Sequence, residues 1–141
     1  MRKKIPILLF YIVLSSSIFA QEIPLFTTDF TPEEFAQRRS KVYNAIGKNG
    51  IAIIQGAPMP HGYVKFRQFN EFYYLCGIET PYSYILLNGA SRKTRIYLPA
   101  RNERRESVEG KLLSADDNQM VRKLTGVDAV HAVGLLAEHL V

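Results

Sequence analysis

TPEEFAQRRSKVYNAIGKNGIAIIQG, residues 31–56, reads as a helix, a turn and a strand in succession. Thr31 can accept bonds from free backbone amides, Pro32 suits the first helical position, and Glu34 completes a capping box. Phe35, Val42 and Ile46 recur at helical spacing, with Arg38, Arg39 and Lys41 on other faces. The Arg38–Lys41 run therefore reads as the solvated face of the helix. Gly47 ends it, and Asn49-Gly50 turns the chain. Ile51-Ala52-Ile53-Ile54 is a short continuous apolar run between Gly50 and Gly56, the pattern of a buried strand. Helix, turn and buried strand open an α/β layer structure.

Toward the carboxyl end, residues 56–68 hold Pro58, Pro60 and Gly62 and read as an irregular loop. A dense aromatic block follows, Asn70 to Cys76, closed by Gly77. Tyr82 to Leu87 reads as a strand, Asn88 to Lys93 as a turn, and Arg95 to Leu98 as the returning strand, stopped by Pro99. On that strand Ile96 and Leu98 share one face, Arg95 and Tyr97 the other. Residues 100–111 are highly charged and expected to be exposed. Ser114 is expected to cap a helix carrying Met120, Val121 and Leu124, ended by Gly126. Val127 to Val133 reads as a short strand, and Leu135 to Leu140 as the opening of a further helix without a stop signal. That unstopped helix suggests the front part of a longer protein.

Toward the amino end, residues 21–30 read as an extended lead-in. Before them stand a basic start at Arg2, Lys3 and Lys4, an apolar run from Ile5 to Leu14, and a small residue, Ala20, ahead of polar Gln21. This is the layout of a secretory signal peptide cleaved near Ala20, so the protein is expected to be exported, periplasmic or secreted. An uncleaved anchor is the alternative, although the run is shorter than the roughly 20 residues a membrane span needs.

The 141 residues are 47% hydrophobic and 22% charged, which excludes whole-chain disorder and allows one domain with a core. Setting aside Arg2, Lys3 and Lys4, 15 basic residues stand against 13 acidic, too even a balance to indicate a nucleic-acid partner. The single cysteine, Cys76, excludes an internal disulfide or a multi-cysteine metal site. It reads as a small buried hydrophobe, a reactive thiol or an intermolecular bridge being the alternatives.

The chain carries no visible catalytic constellation. Its histidines, His61, His131 and His139, form no metal-ligand motif. Asp116-Asp117 sits at an expected helix start, where carboxylates favour the dipole without a metal. No Gly-x-Ser-x-Gly elbow or phosphate-cradling glycine run is present. Arg92, Lys93, Arg95, Arg101, Arg104 and Arg105 could form a basic patch. Glu103, Glu106 and Glu109 interleave with them, so a self-paired surface is expected. No catalytic and no metal-ligating residue is assigned.

The central segment Phe66-Arg67-Gln68-Phe69-Asn70-Glu71-Phe72-Tyr73-Tyr74-Leu75-Cys76-Gly77 resembles the signature of the aminopeptidase P amino-terminal domain: an Arg-Gln, a polar step, then an aromatic block closed by Gly. Glu79-Thr80-Pro81, the strand from Tyr84 to Leu87, and Leu98-Pro99-Ala100-Arg101-Asn102-Glu103 are similar to the elements that follow in that family. Glu109-Gly110 resembles its Glu-x-x-x-Gly region, with the usual Trp absent. The resemblance runs from about Thr31 to the end.

It implies an α/β fold, a mixed β-sheet flanked by helices, like the creatinase and prolidase amino-terminal domain. It also implies a two-part Xaa-Pro aminopeptidase. In that family a carboxy-terminal domain holds two metal ions, usually manganese, on two Asp, one His and two Glu, and cleaves ahead of a second-position proline. None of that domain lies in these residues, so the chain alone is expected to be inactive. The resemblance implies oligomer contacts for the amino-terminal domain, as a homo-oligomer of the full-length protein, and one wall of the substrate cleft. Its expected partners are peptides with proline at position two, not nucleic acid. Tyr73 matches the aromatic that can reach a neighbouring subunit's pocket; the alternative for it is core packing. Arg67 either supports that substrate site or is a surface charge. The competing functional reading is a free-standing exported domain that binds peptides or partners without catalysis.

Overall fold

The first helix starts as its capping signal requires. In the computed structural model, which describes residues 25–62 and 64–140, α1 spans Pro32–Ile46 and the Thr31 hydroxyl accepts the Glu34 amide at 3.2 Å. Only half of the expected capping box forms. The Glu34 carboxylate turns to Arg38, 2.6 Å away, rather than back to the cap. The expected signal peptide, residues 1–20, lies outside the described residues.

Four strands and three further helices follow: β1 Ile51–Gln55, α2 Asn70–Cys76, β2 Tyr84–Asn88, β3 Lys93–Leu98, α3 Glu103–Glu109, α4 Asn118–Thr125 and β4 Ala129–Ala132. The sheet order is β1-β2-β3-β4, antiparallel across the first two pairs and parallel between β3 and β4. Thus the architecture is a mixed sheet with helices. A tight hairpin joins β2 to β3, whereas the parallel step from β3 to β4 needs a crossover, which carries α3 and α4.

One face of the sheet forms the core. Ile85 and Leu87 of β2, Ile96 and Leu98 of β3, and Val130 of β4 pack with Phe35 and Tyr43 of α1, Phe72 and Leu75 of α2, and Val121 of α4. Period-two alternation sends their strand neighbours Leu86, Arg95 and Tyr97 to the opposite face. Residues 25–30, expected as an extended lead-in, form bends and a turn. This shape lets Phe26 and Phe30 meet Phe35 edge-on, at 6.2 and 5.9 Å between ring centroids.

Four further expectations are corrected. Among the described residues β1 is an edge strand rather than a buried one: Ile51 is 54% exposed and Ile53 46%, while Ala52 and Ile54 pack on the core. Residues 103–109, expected only as exposed charge, form α3, capped by the Asn102 side chain on the Arg105 amide and buried nowhere. The helix expected from Leu135 is instead a pair of 3-10 turns, Val133–Leu135 and Glu138–Leu140. Met120 is 49% exposed, so α4 turns Val121 and Thr125 inward instead.

Candidate functional site

The aromatic block is a short helix, and its end is set by close packing. Gly77 terminates α2 at φ +68°, and a Cβ there would lie 2.6 Å from the Phe35 ring and 2.9 Å from Phe26. Only glycine accepts both the left-handed backbone and that contact. Phe72, Leu75 and Cys76 face the core. The Cys76 thiol is fully buried, and desolvation pushes its pKa up to about 12. It is a packed hydrophobe rather than a nucleophile.

Terminating α2 there presents its last carbonyls to Arg39. This residue, expected on a solvated face, is 3% exposed. Its Nη1 donates to the carbonyls of Leu75 and Thr125, each at 3.0 Å, and its Nη2 to Gly126 at 2.8 Å. Leu75 lies in the last turn of α2, and Thr125 and Gly126 close α4. One guanidinium thus satisfies orphan carbonyls at two helix ends, where the helix dipoles favour a cation. Burial pulls its pKa down, yet an arginine remains charged. The missed signal was spacing: Phe35, Arg39 and Tyr43 stand four residues apart on one buried stripe. Arg38, its neighbour, lies over the rings of Phe30 and Tyr74 at 4.0 and 4.5 Å.

The Arg67-Gln68 step divides inside from outside. The Gln68 Oε1 accepts the amides of Ala57 and Phe69 at 2.5 and 3.0 Å, and its Nε2 donates to the Thr80 carbonyl at 3.0 Å. Gln68 therefore pins the long loop to the start of the turn before β2, a role the sequence reading did not assign. Arg67 is exposed and, with Lys65, borders an apolar hollow of about 600 Å³ walled by Pro58, Pro60, Val64 and Phe69. Tyr73 is half-buried, and its hydroxyl pairs with the Thr27 hydroxyl at 2.6 Å. The two candidate residues thus occupy different surroundings, one on the loop and one against the lead-in.

The fold does bring together two stretches that the sequence reading singled out. Thr80-Pro81 and the segment from Pro99 through α3 to Ser114 enclose a hollow of about 140 Å³. The Thr80 hydroxyl donates to the Leu113 carbonyl at 2.6 Å and holds the two sides together. Arg101 forms one wall: its Nη2 meets Asp117 at 2.6 Å, its Nη1 meets Glu106 at 3.8 Å, and its amide donates to Asp116 at 2.8 Å. Asp117 also takes the Ser114 amide and hydroxyl, completing a capping box. Burial opposes ionisation of Asp117, but Ser114 and Arg101 outweigh it and hold the carboxyl below its usual range. Arg105 pairs with Glu109 at 2.6 Å, so of the six basic residues of the expected patch Arg101 and Arg105 pair with carboxylates.

The histidines do not converge on a metal geometry. His61 is exposed on the loop. His131 and His139 meet edge to face at 4.6 Å, and the Nδ1 of His139 bonds the Tyr97 hydroxyl at 2.9 Å. Burial, then His139 and Arg95, push the His131 pKa below its ordinary value. Among the described residues no group of three or more His, Cys, Asp or Glu side chains could hold a metal ion.

A match in sequence accompanies this geometry. The profile of the family described as Aminopeptidase P, N-terminal domain, matches residues 35–141. The chain belongs to that family. The chain is 32% identical over 92 residues to intermediate cleaving peptidase 55 of Schizosaccharomyces pombe, covering 60% of this chain and 19% of that protein. Among solved structures, Escherichia coli aminopeptidase P with the inhibitor Pro-Leu superposes with a TM-score of 0.67 at 20% identity, covering 79% of this chain and 26% of that one. Its low-pH form gives 0.68 at 21% identity with the same coverage. These structural likenesses establish the fold. The chain spans about a fifth to a quarter of the length of these relatives.

Proposed function

We propose that this domain is the non-catalytic front part of an exported Xaa-Pro aminopeptidase, a metallopeptidase that removes the residue before a penultimate proline. The observation that carries the reading is the family match over residues 35–141 in a chain that spans 26% of the Escherichia coli enzyme it superposes on. The domain supplies oligomer contacts and one wall of the substrate cleft. Two manganese ions belong to a carboxy-terminal domain; the donor clusters of the described residues do not fit them, so no metal step is assigned to this chain. When bound there, such ions would activate a water and polarise the scissile carbonyl.

Within the domain, Tyr73 lines the substrate pocket of a neighbouring subunit and Arg67 supports it. A half-exposed ring anchored through its hydroxyl to Thr27 supports this role, since a fixed aromatic face suits a proline ring. The leader is removed near Ala20, leaving Gln21 as the first residue of the exported protein.

The test is to express the complete gene product with manganese and follow release of the first residue from Xaa-Pro peptides. Cleavage by the complete product, with none by this chain alone, is expected. A gene whose product beyond Val141 lacks an Asp, Asp, His, Glu, Glu series would defeat the reading. In the active protein, Tyr73→Ala is expected to raise KM about tenfold, the loss of roughly 1.4 kcal/mol of ring contact, while Tyr73→Phe, which keeps the ring but frees it from Thr27, raises it less. Equal KM values in all three proteins would remove Tyr73 from the pocket. Mass spectrometry of the exported protein, starting at Gln21, checks the cleavage.

A further inference from the structure

The exposed edge of the sheet has a self-complementary hydrogen-bonding pattern. Among the described residues β1 has one neighbour, β2. The Gly56 amide donates to the Ser83 carbonyl at 2.7 Å, and the Gly89 amide to the Gly50 carbonyl at 2.9 Å. Both bonds extend the β1–β2 register, in which Ala52 faces Leu87 and Ile54 faces Ile85. Hydrogen-bonded pairs alternate along an antiparallel ladder. Ala52 and Ile54 therefore spend their backbone groups on β2, and Ile51, Ile53 and Gln55 turn theirs outward. This edge carries no charge, no proline and no bulge, the devices that usually blunt an open strand. Ile51 and Ile53 are also the half-exposed side chains of the strand.

We infer that β1 pairs antiparallel with β1 of a second copy of this chain, about a twofold axis through Ile53, joining two four-stranded sheets into one. With Ile53 facing Ile53 of the other copy, Ile51 faces Gln55. Every outward-turned residue then meets an outward-turned residue, and both amide and carbonyl of each are satisfied. A closed dimer needs one patch that complements itself, which this register provides. The side chains of Ile51 and Ile53 gain apolar neighbours across the junction.

Charge agrees with the antiparallel sense. Exposed Lys48 precedes β1, and exposed Glu71 borders the hollow of about 490 Å³ beside Ile54 near its other end. Antiparallel pairing sets the lysine end of each copy toward the glutamate end of the other. Parallel pairing would set like charges together. The hollow itself is apolar, walled by Val42, Ile54, Tyr74 and Leu75, and continues the contact along the helix side of the edge.

This inference deepens the oligomer-contact part of the proposed function and is independent of the peptidase part. Variants of the chain as it stands with one added cysteine test it with a short bifunctional thiol reagent, the buried Cys76 keeping the background low. Ile53→Cys is expected to give a covalent dimer, because a hydrogen-bonded pair places the two Cα atoms about 5.5 Å apart. Ile51→Cys alone is expected to give none, its symmetry mate lying four residues, about 13 Å, along the strand. Ile51→Cys mixed with Gln55→Cys restores the crosslink. In sedimentation, Ile53→Lys is expected to weaken self-association about tenfold or more without lowering the melting temperature of the dilute protein. A dimer that survives Ile53→Lys, or crosslinks equally through residue 51, overturns the β1 edge and leaves an oligomer formed elsewhere. A wild-type chain that stays monomeric at high concentration overturns both, with the peptidase assay untouched.

Discussion

Arg39 in α1 and Arg101 after β3 both come from runs dense in basic residues, and the fold holds them in opposite ways. Arg39 is buried and bonds three backbone carbonyls at the ends of α2 and α4. Arg101 stays on the surface and pairs with the carboxylates of Asp117 and Glu106. The difference lies in what each helix end leaves unsatisfied. Two helices that finish side by side create a cluster of orphan carbonyls that only a multi-donor cation can serve. A surface strand end near a helix start offers carboxylates that water and salt also reach.

The largest expected effect comes from breaking the buried cluster. Arg39→Met keeps the apolar stem and strands three carbonyls, which is expected to cost about 3 kcal/mol or more in denaturant unfolding. Arg39→Lys recovers only part of this, because an ammonium lacks the planar fork. If Arg39→Met melts like the wild type, the carbonyls are served by water and the comparison fails. Next is Gly77→Ala. A left-handed alanine pressed against Phe35 and Phe26 is expected to cost about 2–3 kcal/mol and to misplace the Leu75 carbonyl that Arg39 uses.

The surface cluster is expected to respond less, and to pH. Asp117→Ala removes the capping box, a loss of about 1 kcal/mol. The folded Asp117 carboxyl titrates below its unfolded value, so its contribution is complete above the unfolded value, about pH 4, and is lost as pH falls through the folded one. Acid unfolding curves of wild type and Asp117→Ala are therefore expected to converge at low pH. The Arg39 cluster, whose acceptors are carbonyls, shows no such convergence in Arg39→Met. Smallest is Arg105→Ala, which breaks an exposed pair with Glu109 and is expected to change stability by about 0.5 kcal/mol or less, vanishing in high salt.

Much of the scaffold was legible because its signals are local. The Thr31 cap, the stops at Gly47, Gly77 and Gly126 and the β2–β3 hairpin stand where the sequence places them, while Ser114 caps a 3-10 turn, Ala115–Asp117, that precedes α4. The family was legible too, since the Arg67–Gly77 block and the segments after it keep their order. Less legible was what depends on neighbours. Four apolar residues at 51–54 signal a strand but not whether both faces are covered. Residues 135–140 carry helical residues, yet the ring of His139 is drawn to Tyr97 and His131, and the backbone there forms 3-10 turns. Of the Arg67-Gln68 pair, the residue that proved structural is Gln68, whose three bonds reach partners 1 to 12 positions away.

By itself the sequence determined those ends of helices and strands that carry a local signal, the Thr31 cap, the glycine stops and the alternation of the β2–β3 pair, because caps, glycines and alternation act within a few residues. It also determined that Cys76 lacks a disulfide partner within the chain. Only the tertiary structure decided which charges are buried, which strand is left at the edge, and which short motifs meet. Those outcomes depend on donors and acceptors that are brought together when helix ends, turns and strands distant in sequence pack on one sheet. Arg39 carries the same charge as Arg38; the nearby ends of α2 and α4 give it a buried role.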